Sequence, residues 1–153
     1  YLFCVGLTET FKELMKGYKP EKHLDLLFES LCSSNKFEAK EIKSISKANK
    51  EDFINKSSKE LLNLLQEKSN SKLYPSRILN LGVYILISNS QNYTEKNEND
   101  KNKLISDIFG KLNLSINKAE KDIGIYTSSI SKLQQAKELI EELRTKDKKK
   151  EQN

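Results

Sequence analysis

The residues in this chain that could do chemistry are few and scattered. Its only thiols are Cys4 and Cys32, and its only imidazole is His23. A nucleophilic thiol needs a base within hydrogen-bond reach. A structural zinc site needs four Cys or His ligands at short spacings. Three such residues cannot complete a zinc set, and His23 sits in a charged first turn, away from either cysteine in the sequence. Cys4 stands between Phe3 and Val5, and Cys32 follows Leu31, so each falls on an apolar helical face. A free Cys there acts as a small buried hydrophobe. Glu141 and Glu142 form the one obvious carboxylate pair, but they lie in a charged helical stretch, where solvated carboxylates do no general acid–base work. No P-loop occurs, and no glycine-rich turn joins a strand to a helix. The reading is therefore a non-enzyme, with no catalytic residue, no metal site and no cofactor.

Function must then come from surfaces, and the composition narrows which kind. Charged residues make up 32% of the chain and apolar residues 36%, with only five Gly, two Pro and no Trp. Much of that charge belongs on exposed helix faces, and so few turn residues suit helices better than sheets. A length of 153 residues gives one domain with one core. The net charge of +5 raises nucleic acid as a partner. The basic residues argue against it: 25 are Lys and only Arg77 and Arg144 supply the planar fork that phosphates and base edges favour. Lys is also interspersed with Asp and Glu, so no single-sign stripe forms.

The longest apolar run, Ile78 to Ile87, is broken by Asn80 and Gly82. It has about half the roughly 20 residues of a membrane-spanning helix. Tyr1 enters an apolar helical pattern at once, without the layout of a signal peptide. Reduced thiols place the chain in a cytoplasmic or stromal compartment. The oligomeric state has no signature in the sequence.

Periodicity lays out the elements that would carry these residues. Leu2, Phe3, Val5, Leu7, Phe11, Leu14 and Met15 trace a helix face, ended by Gly17 in a left-handed cap. Pro20 opens a second helix, to about Ser33, with Leu24, Leu27, Phe28 and Leu31 on one face. Asn35 is expected to cap a weaker third helix carrying Phe37, Ala39, Ile42 and Ile45. Ser57 and Glu60 form a capping box before Leu61, Leu62, Leu64 and Leu65. The cluster Ser69-Asn70-Ser71 should break that helix. Pro75 to Ser88 is the most apolar segment and the expected central helix. Residues 89–103 read as a polar, mobile loop, after which Asp100 caps a helix carrying Leu104, Ile105, Ile108, Phe109 and Leu112. Ser115 caps the next. A polar break is expected over Asp122 to Ser129, making Tyr126 a helix junction. From there Ile130, Leu133, Ala136, Ile140 and Leu143 approximate a coiled-coil seam, followed by Lys146 to Lys150 as a frayed basic tail.

Three stretches resemble the thylakoid formation protein family. At the start, Phe3-Cys4-Val5-Gly6-Leu7-Thr8, then Phe11, then Met15-Lys16-Gly17-Tyr18-Lys19-Pro20-Glu21 are similar to its N-terminal motif. Toward the end, Leu112 to Glu142 is similar to its C-terminal region, although Thr127 and Ser129 stand where the family has Arg and Asn. Between them Ser76-Arg77-Ile78-Leu79-Asn80-Leu81-Gly82-Val83 matches more loosely, with Asn80 in place of a small apolar residue. Members carry a further helical segment upstream of the first motif, so the resemblance implies that this chain is a fragment and that part of the Leu2 to Met15 face has lost its partner.

The expected fold is all-α, a single irregular helical bundle with a long protruding coiled-coil-like C-terminal helix. Its expected division is 1–125 for the bundle and 126–153 for the charged helix and basic tail. A projecting charged helix is a natural docking element for a partner or an anionic membrane surface. The resemblance implies a non-enzymatic accessory factor for photosystem II biogenesis and repair. Its implied partners are the FtsH protease complex and the photosystem II assembly machinery. Its implied place is the cytoplasmic, stroma-equivalent side, peripherally associated with the thylakoid membrane. The residues alone would equally suit a generic helical coiled-coil adaptor or scaffold.

Overall fold

The computed structural model describes residues 1–50, 56–68 and 73–150, and no strand occurs among them. The helices in order are α1 (Leu2–Met15), α2 (His23–Ser34), α3 (Ala39–Lys50), α4 (Ser58–Lys68), α5 (Arg77–Ser88), the single turn α6 (Gln91–Thr94), α7 (Glu98–Lys111) and α8 (Ile116–Lys150). The described residues thus form an all-α bundle with a long last helix, as expected.

Two helices organise the packing. α5 has buried side chains on almost every side, from Leu79 through Ile87, as a ten-residue apolar run requires. α1 crosses it most intimately, at two glycines. A Cβ on Gly6 would stand 2.0 Å from the Ile78 carbonyl oxygen, and one on Gly82 would stand 1.9 Å from that of Leu2. The two backbones touch, and only glycine permits that approach.

Two apolar clusters flank α1. The larger gathers Leu2 and Val5 with Leu61 and Leu65 of α4, the buried face of α5, Ile108 and Phe109 of α7 and Ala119 of α8. The smaller holds Cys4, Phe28, Cys32, Ala39 and Ile42, edged by Leu7, Phe11 and Ile45. The face of α1 expected to lack a partner is therefore largely covered. What remains open is one flank, where Leu14 is 40% exposed.

Local chemistry explains several helix ends. Ser57 and Glu60 make the expected box: the Ser57 amide donates to Glu60 Oε2 at 2.9 Å, and the Glu60 amide to Ser57 Oγ at 3.3 Å. Ser76 accepts from the Leu79 amide at 3.1 Å, and Ser115 from the Lys118 amide at 3.5 Å. Gly17 adopts φ +80° inside a type II turn, with Lys16 at φ −56°, ψ 122° and the Tyr18 amide donating to the Met15 carbonyl at 2.9 Å.

Five expectations are corrected. Asn35 does not cap α3; it ends α2, its side-chain amide donating to the Leu31 carbonyl at 2.9 Å. Lys36 follows at φ +61°, and the Phe37 and Lys36 amides donate to Cys32 and Ser33, a Schellman ending without glycine. Asp100 is not a cap either. Asn97 is, accepting from the Asp100 amide at 3.0 Å, so α7 starts within the segment read as a loop. That segment also holds α6, and Tyr93 meets Tyr84 edge-on at 6.5 Å, which ties it to α5. Finally, α8 has no break at 122–129. Thr127 and Ser129 donate to the carbonyls of Ile123 (3.0 Å) and Ile125 (2.7 Å), so their hydroxyls are satisfied within a continuous helix. The basic run up to Lys150 belongs to that helix, whereas the expected break at Ser69-Asn70-Ser71 lies outside the described residues.

Candidate interaction surface

The 125/126 boundary falls in mid-helix, yet α8 does change character along its length. Its first half packs. Ala119 is fully buried, and Ile123 and Tyr126 are half-buried against the main cluster, with Ile130 following. Asp122 clasps it to the start of α5: Arg77 Nε donates to Oδ1 at 3.1 Å and Asn80 Nδ2 to Oδ2 at 2.9 Å. That pairing accounts for a buried Asn80 on an otherwise apolar helix. Further along, Lys137 Nζ donates to the Lys16 carbonyl at the end of α1. A cation there also complements the negative end of the α1 dipole.

The second half stands clear. Residues 131 to 146 are all exposed, with Leu139 at 58%, Ile140 at 50% and Leu143 at 52%. The bundle-facing line runs Ala119, Ile123, Tyr126, Ile130, and Gln134 and Lys137 continue it. Ala136, Leu139 and Leu143 lie about a third to a half of the circumference away, at 3.6 residues per turn, and Leu133 and Ile140 fall between them and that line. Of the residues read as a seam, Ile130 is half-buried and Leu133, Ala136, Ile140 and Leu143 are exposed.

Three concavities open on the described residues, the first of them against α8. A cleft of about 380 Å³ between α1, α5 and α8 is lined by Glu9, Glu13, Tyr84, Asn89, Tyr126 and Gln134. Burial pushes the Tyr84 phenol up to about 12, helped by the neighbouring Tyr93. Burial, then Glu13, raises that of Tyr126. Neutral phenols beside carboxylates can hydrogen-bond a ligand but are poor bases at neutral pH. A second pocket, about 270 Å³, lies under the Lys16–Gly17–Tyr18 turn, walled by Phe11 and Phe28 with rings 5.0 Å apart. The third, about 390 Å³, is an apolar groove along Phe3, Leu7, Leu14, Leu31 and Phe37.

The residues singled out for chemistry are not brought together as a reactive set. Cys4 and Cys32 share the smaller cluster as buried free thiols. Burial raises the Cys32 pKa against the opposing effect of Lys43, which keeps it a poor nucleophile. His23 is exposed at the first position of α2, and Glu141 and Glu142 are exposed on α8. Among the described residues, no three His, Cys, Asp or Glu converge to hold a metal ion, and no helix is long and apolar enough to cross a membrane. The sequence reading missed the glycine crossing, the Asp122 clasp and the Lys137 contact. Each joins residues far apart in the chain, and one sequence carries no signal for such pairs.

Comparison with known proteins agrees with this architecture. The family model of the thylakoid formation protein matches residues 1–153. Protein Thf1 of Prochlorococcus marinus strain MIT 9312 is 77% identical over 150 residues, covering 98% of this chain and 75% of the relative. Its counterpart in Prochlorococcus marinus subsp. pastoris is 63% identical over 148 residues, covering 97% and 73%. A solved structure of Psb29 shares the fold with a TM-score of 0.79 at 22% identity, over 99% of this chain and 77% of that one. This chain belongs to the thylakoid formation protein family.

Proposed function

We propose that this protein is a non-enzymatic accessory factor for photosystem II biogenesis and repair. It works at the thylakoid membrane, on the cytoplasmic side, together with the FtsH protease complex. Family membership supports the thylakoid setting. The observation that carries an accessory role is the projecting half of α8, which offers three half-exposed large apolar side chains, Leu139, Ile140 and Leu143, on a helix its own bundle does not cover. A face of that kind is a place to dock. On this reading the unit 126–153 is the docking arm and 1–125 the folded body that carries it.

The test is affinity capture from a cyanobacterial thylakoid extract, using the full chain and a form ending at Lys132. The full chain should retain the protease complex, and the shortened form should lose most of it while its circular dichroism still shows a folded bundle. Equal retention by the two would move the contact to the bundle, around Tyr18 and Tyr126. Loss of the protease from both would remove the partnership.

A further inference from the structure

We infer that the outer face of α8 rests directly on an anionic lipid surface. This deepens the membrane setting proposed above by giving the apolar face of the arm to lipid, and the protease would then be met at the membrane rather than through that face. The argument begins with where the charges fall around the helix. With Leu133 and Ile140 at heptad position a and Ala136 and Leu143 at d, Leu139 widens the seam from g. Lys137 and Arg144 occupy the e positions, and Lys132 and Lys146 the remaining g positions. Both borders of the seam are thus basic. The acidic residues Glu138, Glu141 and Glu142 take f, b and c, on the far side. From 131 to 150 there are seven basic and four acidic residues, and the acidic ones before Asp147 avoid the seam.

This pattern selects among occupants. A second copy of the helix would set Lys and Arg against Lys and Arg in either orientation, and like charges across a seam repel. The seam also stops after two heptads, because Asp147 takes the next a position. A coiled-coil pair needs about three to four heptads. A lipid surface has no such length requirement. It takes apolar side chains to the headgroup boundary while bordering cations meet anionic headgroups, and the two signals together hold what neither holds alone. Leu139, Ile140, Leu143, Arg144 and Lys146 are exposed and available for this, and Lys146, Lys148, Lys149 and Lys150 prolong the basic character in the sequence. Because Asp122 ties the first half of α8 to the bundle and Lys137 adds a tie just beyond it, such contact would also orient the body relative to the membrane.

Flotation of the purified full chain with vesicles tests this without any protease. One set is phosphatidylcholine alone and the other contains phosphatidylglycerol. The chain should float with the second set only. The triple substitution Leu139→Gln, Ile140→Gln, Leu143→Gln should weaken binding by at least about tenfold. Lys132→Glu with Arg144→Glu and Lys146→Glu should weaken it more, since each basic group near an anionic surface is worth roughly fivefold. All six positions are exposed, so unchanged melting of both variants is expected and is measured in parallel. Failure of the wild-type chain to float with the anionic vesicles would overturn the inference. So would full binding by the apolar variant, which would reduce the effect to adsorption of a lysine run. If the chain ignores vesicles but the apolar variant loses the captured protease, the seam takes a protein, and the lipid assignment is wrong while the partnership stands.

Discussion

The two halves of α8 are one continuous helix with opposite uses of the same residue types. Between Ile116 and Ile130 the apolar residues, apart from Ile125 (43% exposed), follow the bundle-facing line and are buried or half-buried. Past Leu133 they turn off that line, and from Leu133 to Leu143 they stay in solvent. Burial of a Leu or Ile side chain contributes about 1.5–3 kcal/mol only where it leaves water. The first half therefore holds the fold together, and the second holds almost nothing within this chain. A rotation of the apolar stripe, with no change in helix continuity, separates the residues that hold the fold from those proposed to dock.

The largest effect should come from the crossing on which the packed half depends. Gly6→Ala or Gly82→Ala drives a methyl group into a carbonyl of the facing helix. Relief requires moving backbone, so about 3 kcal/mol or more should be lost, at the upper end for overpacked cores. Chemical denaturation measures it. Leu143→Gln in the outer half should change stability by less than about 0.5 kcal/mol, as for exposed sites. Comparable losses at the two places would erase the distinction between the halves.

Next in size is the Asp122 clasp. Asp122→Ala leaves the buried Asn80 amide without its acceptor, a change worth about 1–3 kcal/mol. Arg77, 62% exposed in its side chain, should add little to this. Asn80→Leu in the Asp122→Ala background should restore part of the loss, because two apolar groups leave nothing unsatisfied. If the double variant is no better than the single, the buried amide is not what Asp122 serves.

The course of the chain was legible where the signal is local. Ser57 with Glu60, and Ser115, announce helix starts through one side chain and one amide a turn away, while the Ser76 cap went unread behind Pro75. The periodicity of α5 and α7 gave their buried faces, whereas on α1 only Leu2 and Val5 of the expected face are buried, beside Cys4, Gly6, Thr8 and Thr10. Endings were harder. Lys36 and Asn113 take positive φ without being glycine, and nothing in Lys-Phe or Asn-Leu announces a Schellman ending. Thr127 and Ser129 look like breakers because their hydroxyls compete for backbone groups, yet here they bond back to their own helix. The seam of the outer half was readable, but its turn away from the bundle was not. That turn depends on which residues of α8 meet α1 and α5.

Smaller effects should follow the same division. Cys4 and Cys32 are 7% and 0% exposed, so both should label slowly in native buffer and readily in denaturant. Fast native labelling of Cys32 would show that the α1–α2–α3 cluster opens easily. The smallest effect concerns Glu60, whose pKa is lowered by hydrogen bonds from the Ser57 hydroxyl and then its amide. A lowered folded pKa contributes stability above the unfolded value, about 4.3 for Glu, and loses it as pH falls through the folded value. Glu60→Gln should flatten that acid limb slightly, and an unchanged profile would remove the box from the acid response.

The variant Leu139→Gln, Ile140→Gln, Leu143→Gln carries the separation of folding from docking in one protein. Its melting temperature and its co-sedimentation with isolated thylakoid membranes should be read from the same preparation. The melting temperature should stay within about 2 °C of the unaltered chain, less than 1 kcal/mol commonly moves a domain of this size, while co-sedimentation falls to background. A melting temperature lowered by about 8 °C or more, or membranes that carry the variant down as well as the unaltered chain, would contradict it.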